Sequence, residues 1–308
     1  MKICFMGTPD FAVPTLEILA AAHQVVGVIT QPDKPKGRGK KLAPPPIKET
    51  AQSLGIPILQ PQKIKAQEVF EWVAALQPDI IIVIAYGQIL PKSLLELPKY
   101  GAVNIHGSLL PKYRGAAPIQ WAIINGEQKT GVTIMQMDVG MDTGHMILKK
   151  EMAIDNKTAG EVFEEMAVLG ADAIVVALAQ IQEGTATFTP QDEKLATYAP
   201  MLTKEQGRID WSKTTDQILS LVNGLNPWPG AYAVLNGQNL KIWRVVANNT
   251  KRDAVPGCVL TSSPKQGIIV RTGDGAVALE EIQSKTGKRM PSKEYVKGNP
   301  VETNTMLY

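Results

Sequence analysis

Ile80-Ile81-Ile82-Val83-Ile84-Ala85 is an unbroken apolar run bounded by Asp79 before it and Tyr86-Gly87 after it. A strand with one wet face alternates apolar and polar residues. A run apolar at both parities is covered on both faces, as strands of a parallel sheet are by their crossover helices. Upstream, Lys2–Met6 is a second apolar run, closed by Gly7-Thr8-Pro9, and Gln24–Thr30 and Ile56–Leu59 are strand-like too. Between them, Phe11–Ala22 and Ala66–Leu76 place apolar residues three and four apart, as helices do. Downstream, Ala102–His106, Thr130–Met137 and Met146–Met152 read as strands and Thr158–Ile181 as a long amphipathic helix. Strands alternating with helices predict an α/β, Rossmann-like, doubly wound and mostly parallel sheet. That domain is assigned to residues 1–189.

Residues 190–206 are polar, contain Pro190 and Pro200, and read as a linker. From Gly207 the texture changes. A helical stretch near Thr215–Val222 precedes Asn226-Pro227-Trp228-Pro229-Gly230, and then short runs separated by Asn236-Gly237, Ser263-Pro264 and Asp274-Gly275. Short strands at this spacing predict a smaller, OB-like β-barrel over residues 207–308. The net charge of +3 is uneven, because the last third is basic while residues 1–189 are nearly neutral. A basic domain suits a nucleic-acid partner or ordinary solubility, and composition does not choose between them. Cys4 and Cys258 lie far apart and no Cys/His spacing suggests a metal. No apolar stretch approaches the roughly 20 residues of a membrane span. A cytoplasmic, monomeric protein is expected.

The end of a parallel strand delivers side chains into the crevice where open α/β sheets bind ligands. Asn104 and His106 lie two apart, hence on one face of their strand. Spacing alone does not separate a catalytic pair from two ordinary polar residues. The loop Gly107–Gly115 that follows supplies backbone N–H groups and apolar side chains. Asp142, in Asp138–Gly144, is a carboxylate on a pliable turn; it either orients His106 or caps its own backbone. Together the three suit acyl transfer to an amine. Asn104 donates to the developing oxyanion, His106 shares that role or moves a proton, and Asp142 holds the imidazolium or accepts the proton. The amine attacks directly, so no Ser or Cys nucleophile is needed. After the first strand, Gly7-Thr8-Pro9-Asp10-Phe11 lacks the G-x-G-x-x-G fingerprint, so no NAD is expected.

The string Asn104-Ile105-His106-Gly107-Ser108-Leu109-Leu110-Pro111, with Arg114-Gly115 and Asp142-Thr143-Gly144, resembles the folate-dependent formyltransferase family. The resemblance runs along the whole chain, through Gln31-Pro32-Asp33, Gly37–Lys41, Ala85-Tyr86-Gly87, Asn226–Gly230 and Gly287-Lys288-Arg289. It implies that Asn104, His106 and Asp142 are the catalytic trio and that Ser108, Leu109, Leu110 and Pro111 form a folate-contacting loop. Tyr86, Gly87, Gln88, Ile89 and Leu90 would line the pterin pocket. It also implies 10-formyltetrahydrofolate as the formyl-donor substrate, no metal, and, as acceptor, the amino group of methionine on initiator tRNA. Lys34–Lys41 holds five basic residues in eight, a solvated run or a phosphate-gripping finger by composition alone. The resemblance makes it an insertion at the tRNA acceptor stem, with Arg38 at the family's key basic position and Lys36, Lys40 and Lys41 beside it. In the second domain Lys241, Lys288 and Arg289 are among the candidates for a phosphate-facing surface, since OB-like barrels commonly bind nucleic acid through one face. Trp228 and Trp243 could stack bases, but core packing is the expected role for both. The rival readings are a formyltransferase for a small amine, a folate deformylase using water, and a non-catalytic RNA-binding module.

Overall fold

The computed structural model describes residues 1–36 and 41–308. The chain forms two compact units. The first comprises residues 1–118, 129–152 and 163–199; the second comprises 119–128, 153–162 and 200–308.

The first unit is built on a seven-stranded sheet. Its strands are β1 (Lys2–Gly7), β2 (Gln24–Ile29), β5 (Ile58–Leu59), β6 (Ile80–Ile84), β7 (Ala102–His106), β9 (Lys129–Gln136) and β10 (Met146–Ala153). Their spatial order is β10-β9-β7-β6-β1-β2-β5. The five strands from β5 to β7 run parallel, and β9 pairs antiparallel with β7. Helices α1 (Val13–Ala22), α2 (Pro46–Ser53), α3 (Gln67–Leu76) and α4 (Lys92–Leu95) connect the strands, and α6 (Ala159–Glu183) follows β10. The Ile80–Ile84 run is buried at every position. One face, carrying Cys4, Met6, Ile81 and Val83, packs with Val69 and Val73 of α3 and Leu94 of α4. On the other face, Gly170 of α6 approaches Ile105 and Val132, and a Cβ there would lie 3.0 Å from the Ile105 methyl. Burying an isoleucine is worth about 1.5–3 kcal/mol, so β6 is a large part of what holds the sheet to its helices.

The chain runs from β1 outward to β2 and β5, then returns to the opposite side of β1 as β6 and β7. The order therefore reverses between β1 and β6, and their C-terminal ends open the crevice typical of such a switch. Thr8 Oγ1 donates to the Tyr86 carbonyl across it, at 3.1 Å. Register aligns Val83 with Asn104, which puts Asn104 and His106 on the α3 side of the sheet.

Several elements were not read from the sequence. Lys34–Lys36 (β3) and Lys41–Ala43 (β4) form an antiparallel ladder, although the glycines and prolines there argued against regular structure. Pro46–Ser53 is helical, with a proline at its first position, where the missing N–H costs nothing. Arg114–Gly115 (β8) pairs in parallel with Tyr198–Ala199 (β11). This last pairing lies in the stretch expected as a linker, so residues up to Ala199 are tied into the first unit. Arg38 and Lys40, and the Lys36 side chain, lie outside the described residues.

In the second unit, α5 (Pro118–Ile124, of which residues 119–124 belong here) accompanies α7 (Thr215–Gly224). A capping box starts α7: the Gln217 N–H donates to Thr214 Oγ1 and the Thr214 N–H to Gln217 Oε1. Five antiparallel strands follow, β12 (Ala231–Leu235), β13 (Gln238–Asn248), β14 (Val259–Ser263), β15 (Gly267–Arg271) and β16 (Ala276–Ser284), in the order β12-β13-β16-β15-β14. A short β17 (Met290–Pro291) pairs with β16 and leads into α8 (Ser292–Gly298). The last residues join the two edge strands: Tyr308 exchanges backbone hydrogen bonds with Val234 of β12, while Asn304 and Thr305 bond Val259 of β14. The tail thus closes the sheet into a barrel and covers both exposed edges. Among the described residues no helix is long and apolar enough to cross a membrane.

Candidate active site

His106 ends β7 and is 5% exposed. Its Nε2 lies 2.9 Å from the Tyr113 carbonyl oxygen. A carbonyl only accepts, so Nε2 carries the proton and donates. This leaves Nδ1 as the nitrogen free to take one. Nδ1 faces Asp142, whose Oδ2 is 3.6 Å away. The same carboxylate oxygen accepts the Gly115 N–H at 2.8 Å. Asp142 sits in left-handed backbone, at φ +57°, where an L-residue is strained unless its surroundings hold it. Asn104 is partly exposed on the same face of β7, and its amide makes no hydrogen bond to a described residue. The structure therefore brings His106 and Asp142 together and puts Asn104 beside them by register.

The loop after β7 is held from within. Ser108 and Leu110 are fully buried. The Ser108 hydroxyl donates to the Lys112 carbonyl at 2.6 Å. Leu110 packs with Met135 and Met146. Thr133 of β9, directly opposite His106, donates to the Ser108 carbonyl at 2.7 Å and accepts the Leu110 N–H at 3.1 Å. Ser108 and Leu110 thus shape the loop, while the partly exposed Leu109 and Pro111 are the side chains it offers. In the second segment expected to contact folate, Tyr86 and Leu90 are buried in the α3-side core. Burial pushes the Tyr86 phenol up to about 12. Gln88 bridges inward, accepting the Ile64 N–H at 2.9 Å and donating to the Gln62 carbonyl. Gly87 and Ile89 are exposed at the crevice.

The sequence reading missed Thr133, Tyr113 and Gln191. Tyr113 contributes a backbone oxygen, which no side-chain pattern reveals. Gln191 donates to the carbonyls of Asp142 and Gly144 from 49 and 47 residues away in the chain.

Two sequence families match the chain, described as "Formyl transferase" over residues 1–178 and "Formyl transferase, C-terminal domain" over residues 201–300. The chain belongs to the formyl transferase family. It is 49% identical to the methionyl-tRNA formyltransferase of Ruminiclostridium cellulolyticum, over the whole of this chain and 99% of that one. It is 50% identical to the methionyl-tRNA formyltransferase of Clostridioides difficile over the full length of both. Among solved structures, the sugar 3N-formyl transferase WlaRD shares the fold at a TM-score of 0.68 and 21% identity, over 94% of this chain and 99% of that one. HypX from Aquifex aeolicus, solved with tetrahydrofolic acid, has a TM-score of 0.64 at 19% identity, over all of this chain and 50% of that one.

The second unit of this formyl transferase carries a cationic and aromatic group. The Lys241 ammonium lies 5.1 Å and the Arg289 guanidinium 5.2 Å from the Trp243 ring centre. Arg289 is also paired with Glu281, and Lys288 is exposed beside it. Trp228, expected in the core, is 52% exposed, because the Asn226–Gly230 segment turns its ring outward while Asn226 is buried.

Proposed function

We propose that this chain transfers the formyl group of 10-formyltetrahydrofolate to the α-amino group of methionine on initiator tRNA, as a cytoplasmic monomer. One observation carries the reading: a pair of the buried His106 and the partly buried Asp142 stands on a chain that matches methionyl-tRNA formyltransferases from end to end at about half identity. The formyl donor binds at the crevice, against Leu109, Pro111, Gly87 and Ile89. The α-amino nitrogen forms a bond to the formyl carbon while the carbonyl π pair moves onto oxygen. The Asn104 amide donates to that oxygen as its charge grows. The proton lost by the amine passes to the Asp142–His106 pair, whose free Nδ1 and carboxylate face each other. On collapse the bond from the carbon to N10 of the folate breaks, and N10 receives the proton. The folate leaves as tetrahydrofolate.

The acceptor end of the tRNA is gripped by the basic run 34–41, and Lys241, Lys288 and Arg289 meet phosphates on the second unit. The exposed Trp228 and the cation-flanked Trp243 suit unpaired bases. The test is steady-state transfer from 10-formyltetrahydrofolate to methionyl initiator tRNA, glycinamide ribonucleotide and a 3-amino sugar nucleotide. Transfer to the tRNA alone is expected. Turnover of only a small amine, or release of free formate as the sole product, refutes the acceptor.

A further inference from the structure

We infer that Gln191 is a positioning residue of the formyl-transfer site, a clamp that sets the backbone of the Asp142 turn. The inference rests on the function proposed above for Asp142. Gln191 lies outside every segment that the sequence marks as chemical. Its carboxamide is fixed at both ends. Oε1 accepts from Arg114 Nε at 3.0 Å and Nη2 at 2.9 Å. Nε2 donates to the Asp142 and Gly144 carbonyls, both at 2.8 Å. A guanidinium only donates and a carbonyl only accepts, so the amide has one possible orientation.

Arg114 is itself buried and bonded along its guanidinium. It is 1% exposed, and Nη1 and the shared Nη2 donate to the Glu193 carboxylate at 2.9 and 2.7 Å. The neighbouring Gly115 donates the N–H that holds Asp142 Oδ2. Asp142 is thus gripped at its carboxylate by Gly115 and at its carbonyl by Gln191. Both grips trace back to the segment Arg114–Gly115. Asp142 is in left-handed backbone, and a strained turn persists only while its surroundings over-determine it. Without the Gln191 donor the turn relaxes, and the carboxylate moves from the Nδ1 of His106.

The decisive substitution is Gln191→Glu. It keeps the size and the Arg114 contact, but it sets a carboxylate oxygen against two carbonyl oxygens. Gln191→Met removes donor and acceptor together. The full-length chain is assayed for kcat, for KM with each substrate, for melting temperature, and for hydrogen exchange of the amides at 138–145. The expected result for Gln191→Glu is a kcat lower by about tenfold or more, since small misplacements of catalytic groups cost up to ~100-fold. KM for both substrates stays within about twofold, and exchange rises in the turn alone. Gln191→Met should follow in the same direction. A kcat within about twofold of the parent overturns the inference, as does unchanged exchange in the turn, or activity loss in both variants that tracks global melting. If the parent chain formylates no methionyl-tRNA, the proposed function fails, and the exchange measurement alone decides whether Gln191 holds the turn.

Discussion

Removing a single hydroxyl beneath the site should cost more than its size suggests. Thr133 is fully buried, and its Oγ1 serves two backbone groups of the loop after β7, the Ser108 carbonyl and the Leu110 N–H. Thr133→Val preserves shape but leaves both groups without a partner where water does not reach. Each buried unsatisfied group costs about 1–3 kcal/mol, so the pair costs roughly 2–6 kcal/mol. For a unit of this size each kcal/mol lowers Tm by about 2–4 °C, so a fall of at least ~4 °C is expected. The loop also shifts, because a displaced Leu110 N–H will seek water. The KM for 10-formyltetrahydrofolate should therefore rise at least about fivefold, the equivalent of roughly 1 kcal/mol, while the KM for tRNA stays put. Thermal unfolding and steady-state kinetics read both effects. A Tm within about 1 °C of the parent with unchanged folate KM would refute the reasoning, since the two backbone groups would then have found other partners at no cost.

Asp142→Asn keeps an acceptor for the Gly115 N–H but loses the charge that faces His106, so kcat should fall by about 10²–10⁴ with little change in Tm, measured by formyl transfer and melting. Gly144→Ala places a Cβ 1.7 Å from the Gln136 carbonyl oxygen, so the turn must move; kcat should drop by at least about tenfold, and a parent-like rate would show that the turn does not set the site. Deleting residues 304–308 uncovers β12 and β14; the second unit should melt first and aggregate, and a single parent-like transition would contradict barrel closure by the tail. Hydrogen bonds from Lys48 and Gln60 hold the Asp33 carboxyl below its ordinary value of 3.8. A depressed folded-state pKa contributes stability above that value and loses it as pH falls through the folded one. Asp33→Asn should therefore speed proteolysis between residues 33 and 48 at neutral pH and make no difference in strong acid, as limited digestion across pH would record.

The sheet was legible because its signal is local. Ile80–Ile84 is apolar at both parities, and Asn104 and His106 share a face by the period of two that any strand imposes. The barrel strands were bounded by Asn236-Gly237 and Asp274-Gly275 for the same reason. What escaped has a different physical character. The β8–β11 pairing joins residues more than eighty positions apart through four residues with no periodicity. Tyr113 acts through its carbonyl, which every residue has. Trp228 looks like core by type, and only the path of Asn226–Gly230 turns it outward. Ser108, expected at the folate, donates its hydroxyl to the Lys112 carbonyl, a partner four residues on that its residue type does not reveal.

The two partners of the proposed catalytic pair are held by unlike means. His106 belongs to a strand flanked by β6 and β9 and is locked by the Tyr113 carbonyl, so its position is set by the sheet. Asp142 stands on a turn whose conformation costs energy and is maintained by hydrogen bonds from Gly115 and Gln191 and by the Asp138 carboxylate, which accepts from the Gly140 N–H and the Thr143 hydroxyl. Sheet positions are stiff because many contacts oppose their displacement, whereas a turn held by a handful of bonds moves when one is lost. Substitutions that touch neither substrate yet lower kcat should therefore gather around residues 114–115, 138–144 and 191, and not along β7. A set of distant variants that slowed chemistry equally from the β6–β7 side would mean that the imidazole, and not the carboxylate, is the adjustable member of the pair.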